Sequence, residues 1–190
     1  MTRILGIDPG LTRCGVGVID LAAGRRVSFV SVGVFRSEPT EELSARVGTL
    51  GASIEALILE QKPDVIALER VYADVNVRSV MGTAQISGVV LMLAHKYSLP
   101  IALHTPTEVK AAVTGSGRAD KAQVGSMVAK ILGLAEIPKP ADAADSLAIA
   151  ICHAWRGAGA TAGTNPGSTL TAAQTAWQQA ERAAARKSER

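Results

Sequence analysis

The stretch Ile4-Leu5-Gly6-Ile7-Asp8-Pro9-Gly10 decides the reading of this chain. Four mostly apolar residues form a short strand, and an aspartate ends it. Pro9 fixes φ and lacks an N–H, Gly10 tolerates φ > 0, and together they break the backbone. Gly15-Val16-Gly17-Val18-Ile19-Asp20 follows as a second strand, so the expected unit is a hairpin. Asp8 then sits at the mouth of a buried strand, a costly place for an unpaired charge. Aspartate is also common in turns. On this stretch alone, a residue that caps its own backbone is the competing reading. The choice depends on whether other carboxylates arrive at the same mouth.

Working outward, Val27 to Phe35 is β-branched or aromatic and alternates loosely, which predicts a third strand in a meander. Pro39-Thr40-Glu41-Glu42 offers a cap residue and first-turn acids. Leu43, Val47, Leu50, Ile54, Leu57 and Ile58 then recur at helical spacing, and Pro63 ends the helix. Val65-Ile66-Ala67-Leu68 is a continuous apolar run ending in Glu69, as suits a strand covered on both faces. Strand, helix and strand imply a parallel crossover. A fourth strand beside the first places Glu69 and Asp8 at one C-terminal edge, with Asp20 and Asp64 at the other. Ligands of open α/β sheets usually bind outside that C-terminal edge.

A helix from about Val80 to Tyr97 is apolar nearly all round, so it is buried on several sides. One side faces its own sheet. The other meets either the rest of the domain or a second subunit, with Val80, Ala84, Val89 and Leu93 as the expected seam. Pro100 to His104 makes a fifth short strand. Thr105-Pro106-Thr107-Glu108 reads as a helix start, and Asp120 caps another helix after the Gly115-Ser116-Gly117 break. That break is a weak phosphate-loop signal and usually just a loop. Asp142 and Asp145, three residues apart in an expected first helical turn, share a face. Capping explains one of them well but not both.

Composition sets outer bounds. The 190 residues suffice for one domain and a tail, and 47% are hydrophobic. The most apolar run is too short to span a bilayer, and strand one begins where a signal segment would lie. Cys14 and Cys152 are far apart, without metal or disulfide spacing, so a reduced, cytoplasmic protein is expected. Residues 1–155 balance 15 basic against 15 acidic side chains, and the net charge of +3 resides in the last 35 residues. Neutralising four carboxylates by metal would leave the core positive enough for a polyanion. Residues 157–170 look like a flexible linker. Residues 171–190 look like a basic tail with a weak helix anchored by Trp177. The domain proper is expected over residues 1–156.

Four carboxylates are thus candidates for one site: Asp8, Glu69, Asp142 and Asp145. Unpaired, they would repel and some would stay protonated. Oxygen-only ligands favour Mg²⁺ or Mn²⁺ over zinc, and two such ions can clamp the attacking and leaving oxygens of a phosphodiester. His95, His104 and His153 fall in no convincing nucleophile motif.

Three segments carry a resemblance: Ile4 to Gly10, Ala67-Leu68-Glu69-Arg70-Val71-Tyr72, and Ala141 to Ala150. With Pro106 to Lys110 and Gly117 to Lys121, they resemble the RuvC family of bacterial Holliday-junction resolvases across about residues 1–156. The resemblance implies an α/β ribonuclease-H-like fold: a five-stranded mixed sheet flanked by helices. It further implies a homodimer, Mg²⁺-dependent symmetric nicking of four-way junction DNA in recombination and repair, and cooperation with a branch-migration complex of RuvA and RuvB. By match, Asp8, Glu69, Asp142 and Asp145 are the metal-binding acids, with Asp8 bridging two ions. Lys121 and Lys110 are expected near the scissile phosphate, with Arg118 as a further DNA contact. Tyr72 stands where the family often has Phe, a ring that meets bases at the crossover. Two other readings stay open. The Gly-x-Asp-x-Gly hairpin also resembles that of actin-like ATPases and sugar kinases, although the chain is short for their two lobes. A non-cleaving nucleic-acid module or a related RNA nuclease is the second, because phosphate contacts alone do not separate DNA from RNA.

Overall fold

Antiparallel pairing of Thr2–Asp8 (β1) with Arg13–Leu21 (β2) makes the expected hairpin, with Asp8 opposite Gly15. The computed structural model describes residues 1–71 and 77–160. Val27–Arg36 (β3) pairs antiparallel with β2 and completes the meander. Leu43–Gln61 (α1) crosses over to Val65–Glu69 (β4), which lies parallel to β1 with Ile7 opposite Leu68. After Val77–Lys96 (α2), Ile101–His104 (β5) adds to β4 in parallel. The sheet order is β3-β2-β1-β4-β5, five strands and mixed, as expected. Pro106–Thr114 (α3), Lys121–Leu132 (α4) and Ala141–Ala160 (α5) follow.

Alternation along the strands divides the core into two layers, because successive side chains point to opposite faces. Leu5, Ile7, Val16, Val18, Ile66 and Leu68 pack with the buried faces of α1 and α2. Ile4, Ile19, Val65 and Ala67 pack with α3, α4 and the wholly apolar run of α5. Glycines on that second face let α5 approach closely. A Cβ at Gly6 would fall on the Ser146 carbonyl, and one at Gly15 on the Asp142 carbonyl. These glycines are close-approach positions rather than turn positions.

Arg3 gathers the acids of the opposite edge. Its backbone N–H donates to Asp64 Oδ2 at 2.6 Å, and its guanidinium Nε to Asp20 Oδ1 at 2.9 Å. The topological sorting of Asp20 and Asp64 away from Asp8 therefore holds.

Three local expectations are corrected. α1 starts at Leu43 with Glu42 as its N-cap and no side-chain cap bond. Thr40 does not cap it, and the acids precede the helix rather than occupy its first turn. Asp145 lies in the second turn of α5, not the first, because the helix begins at Ala141.

The third correction concerns the seam on α2. Leu93 is only 2% exposed and belongs to the subunit's own core, and Val89 packs against the same cluster. The uncovered face carries Met81, Leu91 and Met92, exposed by 54%, 44% and 54%, with Ala84 and Gly88 between them. A helix apolar all round has no periodicity to say which face its own sheet takes, so packing alone assigns it. Of the expected seam residues, Ala84 is exposed and Val80 is half-buried.

α5 continues to Ala160, four residues into the stretch expected as linker, because an established helix propagates more easily than it nucleates. The rest of the linker, the expected tail helix and Tyr72 lie outside the described residues.

Candidate active site

Asp8 and Glu69 end parallel neighbouring strands, and their side chains point to the α5 face, in step with Ile4 and Gly6 on β1 and Val65 and Ala67 on β4. Burial pushes the Asp8 carboxyl up to about 8, helped by the negative charges of Glu69 and Asp145. Burial also raises Glu69, which shares a hydrogen bond with Asp8. Neither carboxylate has a salt-bridge partner among the described residues. A proton is what holds this pair together without a bound cation.

Two well-capped helices bring cations to the pair. Thr105 and Glu108 close a capping box at the start of α3, which carries Lys110. Asp120 and Gln123 do the same for α4, and Lys121 is its first residue. Lys121 Nζ lies 2.8 Å from Asp145 Oδ2. Its ammonium is held above the ordinary lysine range, first by that hydrogen bond. Asp8, Glu69, Asp145, Lys110 and Lys121 line one cavity of about 260 Å³, floored by Val109, Val124 and Ile149.

Asp142 is separate. It pairs with Arg13 (Nε to Oδ2, 3.0 Å) and lines a neighbouring cavity of about 450 Å³. The expected group of four carboxylates is therefore three in one pocket and one beside it. Spacing of three residues puts Asp142 and Asp145 on one side of α5, but the axial offset of one turn lets each meet a different cation. Among the described residues, no three histidine, cysteine or carboxylate side chains converge into a ready-made metal cage. The donor set nevertheless fits a hard divalent cation, since every candidate ligand is a carboxylate oxygen. Such an ion would replace the proton on the Asp8–Glu69 pair and the side-chain cations on Asp142 and Asp145.

Arg118 sits in the turn before α4, exposed, with its N–H donating to Ser116 Oγ at 3.3 Å. It does not line the carboxylate pocket. His104 and His153 hydrogen-bond each other at 3.2 Å, and burial lowers both. Neither lines the carboxylate pocket. Burial pushes the Cys14 thiol up to about 12 and Cys152 to about 11, so both are poor nucleophiles. Arg13 escaped sequence reasoning. It begins β2 with the same parity as Gly15, facing α5, and nothing local marks a partner so distant in the chain.

The family model described as "Crossover junction endodeoxyribonuclease RuvC" matches residues 4–153. The protein of that name from Leifsonia xyli subsp. xyli is 54% identical, with 98% of this chain and 95% of the relative aligned. Its namesake from Saccharopolyspora erythraea is 58% identical over 81% of this chain and 77% of the relative. Among solved structures, T. thermophilus RuvC in complex with Holliday junction substrate is similar. It is 32% identical with a TM-score of 0.80, covering 85% of this chain and 98% of that one.

Proposed function

This chain belongs to the RuvC family of crossover junction endodeoxyribonucleases, and from that premise we propose that it resolves four-way DNA junctions through paired cuts made by two subunits. Membership favours a DNA resolvase over the kinase-like and RNA-nuclease readings of the opening hairpin. The observation that carries the site assignment is the gathering of Asp8, Glu69, Asp145, Lys110 and Lys121 in one pocket at the C-terminal strand edge. Asp142 joins them from the adjoining turn of α5.

Asp8 and Glu69 are half-buried, lie beside further negative charge and have no salt bridge among the described residues, so they bind the metal, and Mg²⁺ is the proposed ion. Asp8, at the strand end between Glu69 and α5, is the proposed bridge between two ions. When bound, Mg²⁺ lowers the pKa of an attacking water and stabilises charge on the phosphate. Asp142 and Asp145 complete the set of oxygen ligands. Lys121, freed from Asp145, holds a non-bridging phosphate oxygen, and its raised affinity for a proton keeps it cationic. Lys110, which lines the same pocket, supports it. The apolar floor of Val109, Val124 and Ile149 limits water and strengthens these charges. By family likeness, Tyr72 stacks on bases at the crossover, Arg118 contacts the backbone and a RuvA–RuvB complex presents the junction.

A four-way junction has two strands to cut, whereas one site cuts one. Two-fold symmetry supplies the second site, and the Met81, Leu91 and Met92 face of α2 is the proposed seam. Cleavage should be compared on labelled junction, duplex, single strand and RNA, with Mg²⁺ or EDTA. Paired cuts in the junction alone, and only with the metal, are expected. Equal cutting of plain duplex or RNA would overturn the reading.

A further inference from the structure

Among the described residues, the cavity of about 450 Å³ beside the carboxylate pocket has a lining of which the carboxylate chemistry uses only Asp142. Thr12, Arg13, Arg46, Ser79, Thr83 and Asp142 line it. Two guanidiniums and three hydroxyls face one carboxylate. That inventory is rich in donors and suits an anion with several acceptor oxygens. Arg46 is fixed: its Nε donates to Ser37 Oγ at 3.0 Å and its Nη2 to Thr12 Oγ1 at 2.9 Å. Ser37 in turn donates to the Leu11 carbonyl, so this network sets the β1–β2 turn. Among the described residues, no carboxylate pairs with Arg46.

Arg13 differs. Its side chain is 54% exposed at the cavity rim, and its salt bridge is to Asp142. Asp142 stands one helical turn from Asp145, so its cavity adjoins the pocket of the cleavage chemistry. A cation bound by Asp142 competes directly with the guanidinium.

Building on the metal reading above, we propose that Arg13 is a positioning residue switched by Asp142. While Asp142 lacks metal, Arg13 is held by it. Once Asp142 ligates a cation, Arg13 turns to a phosphate of the DNA strand seated in the Thr12–Arg46–Thr83 cavity. Metal occupancy and strand seating then favour each other, and the linkage runs equally in both directions. The enzyme binds the strand tightly only where the carboxylates are loaded.

The test is junction binding, not cutting. Affinity of a fluorescent four-way junction is measured against salt in EDTA and in Ca²⁺, with strand integrity checked on denaturing gels. Each phosphate contact contributes about 0.9 to the slope of log K against log salt. In EDTA, Arg13→Gln should match the wild-type slope. In Ca²⁺ it should fall short by about 0.9, and Arg13→Lys should keep the wild-type slope. Asp142→Asn in EDTA should steepen the slope, but not in the double variant with Arg13→Gln. Equal slopes for wild type and Arg13→Gln in Ca²⁺, with no steepening by Asp142→Asn in EDTA, would overturn the phosphate contact. A deficit in EDTA as well would overturn the switch. Should Ca²⁺ leave wild-type binding unchanged while Asp142→Asn still releases Arg13, the metal reading fails and the switch stands. Melting curves confirm that each variant is folded.

Discussion

Lys121 Nζ sits 2.8 Å from Asp145 Oδ2, so the first residue of α4 is tied to the second turn of α5 across the candidate site. The lysine side chain is 70% exposed. An exposed pair of this kind contributes about 0–1 kcal/mol to stability. Its value must therefore lie elsewhere, in holding a cation where phosphate charge develops.

Lys121→Met should lower junction cleavage by about 10²-fold or more, the usual effect of removing one such donor. The melting temperature should move by no more than about 2–4 °C, given a pair worth at most about 1 kcal/mol. A large loss of stability with unchanged cleavage would show that the lysine is structural.

Asp8 binds its proton more tightly in the folded chain than in the unfolded one, where its value is 3.8. The stability this provides is complete below about pH 4 and is lost as pH rises through about 8. Without metal, the wild-type melting temperature should fall across that window. Asp8→Asn, which cannot ionise, should flatten the fall and melt higher at pH 9. Mg²⁺ should raise the wild-type midpoint at pH 9 more than that of Asp8→Asn. Cleavage by Asp8→Asn should drop at least about 10²–10³-fold, as several kcal/mol of metal stabilisation vanish. A flat wild-type profile would mean that Asp8 does not take up a proton on folding.

On α2, Leu91→Arg and Met92→Arg place a charge on the uncovered face. Sedimentation should show folded monomers for both variants. Leu93→Arg, in contrast, should unfold the chain, because Leu93 is 2% exposed and an unpaired buried charge is costly. Dimers mixing wild-type and Asp8→Asn subunits should nick one strand and leave the junction whole. Wild-type monomers at assay concentration, or paired cuts from mixed dimers, would sink the two-site arrangement.

Truncation after Ala160 keeps α5 whole, including Trp155, whose Nε1–H donates to the Arg25 carbonyl at 3.1 Å. The rate at saturating junction should persist. The salt dependence of binding should flatten, because Arg182, Arg186, Lys187 and Arg190 are removed. Lost cleavage at saturation would give the tail a role in chemistry.

The sequence alone placed Asp8 and Glu69 together, and the reason is topological. A short apolar strand, a crossover helix and a second apolar strand permit few arrangements, and chain direction then sorts acids between the two sheet edges. The Asp20 and Asp64 assignment follows from the same rule. The helix starts at Thr105 and Asp120 are legible because cap chemistry is local, whereas α1 begins at Leu43 without a side-chain cap and Thr40 points to a start that comes too early.

Tertiary structure decided what has no local signal. Residue spacing could put Asp142 and Asp145 on one side of a helix, but not show that Arg13 and Lys121 would each take one of them. Those pairings depend on how closely α5 lies against Gly6 and Gly15, where missing side chains let backbones meet. Nor could composition say which side of α2 faces outward, since Val89, Leu91, Met92 and Leu93 are equally apolar. Hydrophobicity fixes that the helix must be covered, and only the shape of the sheet beneath it determines which of those side chains it covers.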